Sequence, residues 1–272
     1  MSSYEAFISP TFGDRVKSML KLDFYRLFHT PVLYIFLAIA AIIPAMVLSL
    51  SGVDMSPPDQ SAHTENIPQV TMPMFQNAWQ MIETTANPTF TVNTDDNPID
   101  MGQFMNINML FIFAGLLMSI FVAHDYSSGF VKNIFTVHSK KVDYVISKTA
   151  IGLFGGTGMI LTYVLGTVVA GLLTGKAFDV DVGGLIFCLI SKALLMGVFC
   201  SLFAAIAMFF RKNFWMTVVV TFVSGMMLYP AASIATLDST SITVFISLLI
   251  GTIGAVAIGT VSNQILKKRD LA

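Results

Sequence analysis

Residues 182–210 read VGGLIFCLISKALLMGVFCSLFAAIAMFF, with Lys192 as the only charged side chain. As a helix this run is about 43 Å long, and the hydrocarbon core of a bilayer is only about 30 Å thick. It therefore reads as a membrane span. Working outward, five further stretches of the same kind appear: Pro31 to Leu50, Phe104 to Ala123, Thr149 to Thr174, Phe214 to Leu237 and Ile242 to Val261. The alternating decamers of a membrane barrel are absent, and an open sheet would leave backbone groups unpaired in lipid. The fold class expected is an all-α polytopic membrane protein with six transmembrane helices in one domain, residues 1–272.

Composition agrees. The 272 residues are 55% apolar and 11% charged, with a mean hydropathy of +0.75, whereas soluble domains carry roughly 25% charged residues. The net charge of -1 matters less than its distribution. Arg15, Lys17, Lys21 and Arg26 precede the first span; Lys132, Lys140, Lys141 and Lys148 fall between the second and third. Arg211 and Lys212 separate the fourth from the fifth, and Lys267, Lys268 and Arg269 follow the sixth. All lie on one side of a six-span chain. The other side has Lys176 and the segment Gly52 to Gln103, which lacks basic residues and carries Asp54, Asp59, Glu65, Glu83, Asp95, Asp96 and Asp100. The positive-inside rule makes the basic side cytoplasmic. The expectation is a multi-pass protein of the plasma (inner) membrane with both termini in the cytoplasm.

Nothing before the first span has the pattern of a cleaved signal peptide, so that span is expected to be retained. Asp14 to Thr30 is charged yet periodic: Val16, Leu20, Phe24 and Leu27 share an arc of about 80°, opposite Asp14, Ser18 and Tyr25. This suits an interfacial helix over residues 14–30 lying on the inner leaflet. The Pro- and Asn-rich external loop, 52–103, reads either as a lid with a short helix around Met74 to Thr85 or as a solvated connector. Cys188 and Cys200 are twelve helical residues apart, about 18 Å, beyond disulfide reach.

The cytoplasmic segment His124 to Lys148, HDYSSGFVKNIFTVHSKKVDYVISK, carries the sharpest signal. Phe130, Val131, Ile134, Phe135 and Val137 suit one short amphipathic helix, and Val142, Val145 and Ile146 a second leading into the third span. The segment is either a helical hairpin on lipid headgroups or a docking element for a cytoplasmic partner. Asp125-Tyr126-Ser127-Ser128-Gly129, then Lys132-Asn133-Ile134, Lys140-Lys141 and Lys148 resemble the signature of type-2 (ABC-2 type) ABC exporter permeases. The order of parts is similar too, although Phe130 stands where the family commonly has Thr.

The resemblance implies that residues 124–148 form a coupling segment in a groove of a separate cytoplasmic ABC ATPase. Tyr126, Gly129, Phe130, Lys132, Ile134 and Phe135 would be its coupling residues, with Phe130, Ile134 and Phe135 as apolar anchors. It further implies a dimer with a second permease chain, identical or paralogous, and export of an amphipathic peptide, antibiotic or lipid-like substrate. ATP and Mg would be bound by the partner and no cofactor by this chain; the remaining partner is membrane lipid, with no nucleic acid.

The chain has no GxxxxGK[ST]; the nearest imitation, Gly171 to Ala177, is one residue short and lacks the metal-binding hydroxyl. HExxH, GxSxG and cysteine–histidine metal spacings are also missing, and His29, His63, His124 and His138 are scattered, so neither an enzyme nor a metal site is expected. Lys192 reads as a contact in a substrate pathway or as a structurally paired ammonium. Glycines at 152, 155, 156, 158, 251, 254 and 259 suit close helix packing. Two rival readings are a secondary transporter, disfavoured by the lack of inverted repeats and evident buried carboxylates, and a non-transporting membrane sensor or scaffold.

Overall fold

The computed structural model describes residues 11–51, 75–82, 91–92, 99–100, 106–136, 140–210 and 213–268. Most of the acidic segment 52–103 lies outside the described residues, as do Val137, His138, Ser139, Arg211, Lys212 and Arg269. Within that segment, Thr91–Val92 pairs antiparallel with Ile99–Asp100.

The helices are α1 (Phe12–Phe28), α2 (Pro31–Ser49), α3 (Met109–Ser127), α4 (Phe130–Thr136), α5 (Lys141–Leu173), α6 (Val182–Phe209), α7 (Phe214–Leu228) and α8 (Ser241–Lys268). Six are long and apolar enough to cross a membrane: α2, α3, α5, α6, α7 with its extension to Ile234, and α8. The chain is an all-α polytopic membrane protein.

Three element boundaries depart from the sequence reading, each for a local reason. The expected helix around Val142 to Ile146 is not separate but forms the opening turns of α5, because no Gly or Pro interrupts the chain before Gly152. At 33 residues, α5 is about 50 Å long and outruns the hydrocarbon core. The fifth span loses α-helical form at Leu228 and continues to Ile234 as a 3-10 helix. Pro230 has no amide hydrogen and disfavours the α conformation of Tyr229. In the segment 52–103 the short helix is a single 3-10 turn, Ala78–Met81, capped by Asn77 and joined to the α5–α6 connection through Ala78 N to Ala177 O, 2.9 Å.

α5 is the hub, packing on α1, α2, α3, α6 and α8. Its glycines permit this: a Cβ on Gly156 would stand 2.3 Å from Met196 Cγ of α6, and one on Gly166 would stand 2.6 Å from the Ala41 carbonyl oxygen of α2. α3 is the central span and α8 the peripheral one, with 67% and 6% of their apolar windows buried. The imitation phosphate loop at 171–177 is a helix terminus. Gly175 has φ 66°, Lys176 N donates to Gly171 O at 2.9 Å and Gly175 N to Leu172 O at 3.4 Å, the paired bonds of a Schellman cap.

α1 runs parallel along the start of α5, from Arg15 beside Asp143 to Phe28 beside Phe154. Leu27 is buried, Val16, Leu20 and Phe24 are half-buried, and Asp14, Ser18 and Tyr25 are exposed. The same inner face also carries a fully buried carboxylate, Asp23.

Candidate functional site

Where α1, α3, α4 and α5 meet, the structure buries two carboxylates and two cations. Asp23 and Arg26 come from α1, Asp125 from the last turn of α3, and Lys148 from the second turn of α5. Lys148 Nζ lies 2.7 Å from Asp23 Oδ1 and 2.7 Å from Asp125 Oδ2. Arg26 Nη2 lies 2.6 Å from Asp125 Oδ1, and Arg26 Nη1 3.6 Å from Asp23 Oδ1. The remaining carboxylate valences are met by hydroxyl donors: Ser147 Oγ to Asp23 Oδ2 at 2.6 Å and Tyr144 OH to Asp125 Oδ2 at 2.9 Å. The four formal charges cancel, which is what allows Asp23, Asp125 and Lys148 to be wholly buried.

Aromatic faces close the cluster. Phe121 of α3 lies 4.5 Å from Lys148 Nζ, measured to the ring centroid, and the Phe130 ring of α4 lies 3.6 Å from Arg26 Cζ. Cations over rings in a water-poor setting attract by about 2 kcal/mol. A second bridge, Arg15 Nε to Asp143 Oδ2 at 2.9 Å, pins the start of α1 to the start of α5. Chemically the arrangement is a charge-neutral tie between four helices, in which Arg26 Nη1 is buried without a hydrogen-bond partner among the described residues.

The residues proposed for coupling divide into two groups around this tie. Tyr126, Phe130, Ile134 and Phe135 are half-buried and pack against the chain's own core, Phe135 edge-on to Tyr144 at 5.8 Å. The apolar side of α4 thus faces inward, with Phe130, Ile134 and Phe135 packed against the chain's own core. Lys132, Asn133 and Thr136 form its exposed side. Gly129 links α3 to α4 with φ 72°, a left-handed conformation, while a Cβ there would meet nothing within 4 Å. Its requirement is conformational, not one of space.

Lys192 stands apart from this cluster. It is fully buried, and its Nζ donates to Asn108 Oδ1 at 2.7 Å and to the Ala232 carbonyl at 3.3 Å. Ala232 belongs to the 3-10 stretch beyond Leu228, so the ammonium joins the start of α3 and the middle of α6 to the end of the fifth span. Cys188 and Cys200 are both buried, and their thiols donate to the Ala235 carbonyl at 3.6 Å and the Gly152 carbonyl at 3.3 Å. Among the described residues there is no group of three or more His, Cys, Asp or Glu side chains placed to hold a metal.

Sequence reading missed Asp23, Arg26, Tyr144 and Ser147 as a site. It also missed the burial of Asp125 and Lys148, having found no evident buried carboxylate. One signal was available: Asp23 falls only about 20° outside the apolar arc of α1, where a solvated carboxylate has no place.

Compared with known proteins, residues 19–228 match a family model described as ABC-2 family transporter protein. No curated protein sequence and no solved structure gives a significant match.

Proposed function

The chain belongs to the ABC-2 family of transporter proteins, and from that premise we propose that it is the permease half of an ATP-driven exporter, coupled through α4 to a separate cytoplasmic ATPase. As a member of that family it is a multi-pass membrane transport subunit of an ABC transporter. A second permease chain, identical or paralogous, completes the pathway, and ATP and Mg bind to the partner ATPases. The segregation of basic residues supports cytoplasmic termini. The pathway's cargo is an amphipathic peptide, an antibiotic or a lipid-like molecule.

The observation that carries the coupling role is the seating of α4. A cytoplasmic helix that transmits force needs one face for the partner and another fixed to the spans. Lys132, Asn133 and Thr136 supply the first; Phe130, stacked on Arg26 and so linked to Asp125 and Lys148, supplies the second. A push on α4 therefore reaches α1, α3 and α5 together. The charged rim of a contact mainly governs encounter and register, so Lys132 is the residue to reverse. Lys132→Glu with Asn133→Asp leaves the buried cluster untouched. It should abolish co-purification of the ATPase in mild detergent while membrane insertion and folding persist. Undiminished co-purification and export would overturn the docking assignment.

A further inference from the structure

We infer that the groove between α5 and α8 is a binding site for an anionic phospholipid, held at the lysine-bearing ends of both helices. The groove is a cavity of about 550 Å³, with Val145, Ile146 and Thr149 on one wall and Val256, Gly259 and Asn263 on the other. Its depth exists because Gly259 contributes no side chain: a Cβ placed there would still be 3.8 Å from Val145 Cγ1. α8 is the most peripheral span, with 6% of its apolar window buried, so the groove opens where lipid surrounds the protein.

The polarity of the groove follows that of a phospholipid from tail to headgroup. Counted along α8 from Ser241, Val256 lies about 22 Å in, Asn263 about 33 Å and Lys267 about 39 Å. A hydrocarbon core of about 30 Å within a bilayer of about 40–45 Å puts Val256 among acyl chains, Asn263 at the start of the headgroup layer and Lys267 at its outer part. Gly259, Asn263 and Lys267 are spaced by four residues and share one face of α8, as Lys141, Val145 and Thr149 do on α5. A lysine thus ends each lining stripe. The two ends are joined, since Lys141 Nζ donates to the Leu266 carbonyl at 2.6 Å. Asn263 Oδ1 is buried with no hydrogen-bond partner among the described residues, and Asn263 lines the groove. Among the described residues, no carboxylate lies within ion-pair distance of Lys141, Lys267 or Lys268. Basic pockets between spans select anionic headgroups for this reason.

The inference depends on the chain spanning a bilayer and not on its acting as a permease, and the experiment keeps the two apart. Full-length protein is reconstituted in phosphatidylcholine vesicles containing phosphatidylglycerol with a diazirine on its acyl chain, the same in both leaflets. After photolysis, adducts should map to peptides covering 142–153 and 255–263 of the wild-type chain. Unlabelled phosphatidylglycerol should compete better than phosphatidylcholine, and the advantage should fall about fivefold for each of Lys141→Gln and Lys267→Gln. Gly259→Leu, filling the groove, should remove the adducts while the protein stays monodisperse. Should Gly259→Leu not fold, the wild-type map and competition decide alone. Equal competition by the neutral lipid would overturn the headgroup assignment. Adducts elsewhere, or cross-links between two copies of the chain through this groove, would overturn the site.

Discussion

The guanidinium carbon of Arg26 sits 3.6 Å from the centroid of the Phe130 ring, and through that contact α1 holds α4. The same guanidinium is bonded to Asp125 at the end of α3, so one side chain sets the relation of three helices. Phe130→Leu keeps apolar volume but removes the ring, with a loss of about 0.5–2 kcal/mol in the α1–α4 contact. The ATPase should still co-purify, since Lys132, Asn133 and Thr136 are unaltered, but permease-dependent stimulation of ATP hydrolysis should fall. Phe130→Tyr should restore it. Wild-type stimulation in Phe130→Leu would show that α4 is positioned without the ring.

The neutral balance of the cluster leads to a second expectation. Lys148→Met leaves Asp23 and Asp125 buried against Arg26 alone, and breaking a buried pair on one side costs about 3–5 kcal/mol. The melting temperature in detergent should drop sharply. Adding Asp23→Asn to Lys148→Met removes the uncompensated charge and should recover much of that loss. A double variant no more stable than the single would mean that charge balance is not what holds the four helices together.

The six spans were legible in the sequence because each is apolar over enough residues to be recognised without knowing its neighbours. The cluster was not legible in that way. Asp23 and Lys148 are 125 positions apart, and Asp23 viewed locally belongs to an ordinary charged helix. The inward turn of α4 was ambiguous for a related reason: Phe130, Val131, Ile134 and Phe135 lie on one face whether that face meets a partner or the chain's own core. Only the arrival of Arg26 and Tyr144 from distant elements decides it. The positive φ of Gly129 became evident only from the backbone.

Orientation is testable by labelling. Single cysteines at Thr94 and at Asn133, in a chain with Cys188→Ala and Cys200→Ala, should react with a membrane-impermeant maleimide from outside and only after permeabilisation, respectively. Asn133 is on the exposed side of α4, so in cells that express the chain without the ATPase its accessibility depends on the membrane side alone. Reaction at Asn133 in intact cells would invert the topology.

Lys192 offers a last expectation, in which packing and pathway predict different outcomes. Its ammonium is fully buried and bonded to Asn108 Oδ1 and the Ala232 carbonyl. Lys192→Met keeps most of the side chain's length and leaves both acceptors without the ammonium, a loss of about 1–3 kcal/mol for each buried group. If the lysine is a tether for the 3-10 end of the fifth span, the variant should melt earlier in detergent, and a new cysteine at Ser233, exposed one residue beyond Ala232, should label faster. ATPase stimulation per folded molecule should then be unchanged. If the ammonium instead meets an anionic cargo once the pathway opens, thermal stability should change little, while substrate-dependent stimulation of ATP hydrolysis is lost. The two acceptors already in place favour the tether, and a variant with wild-type melting and labelling would refute it.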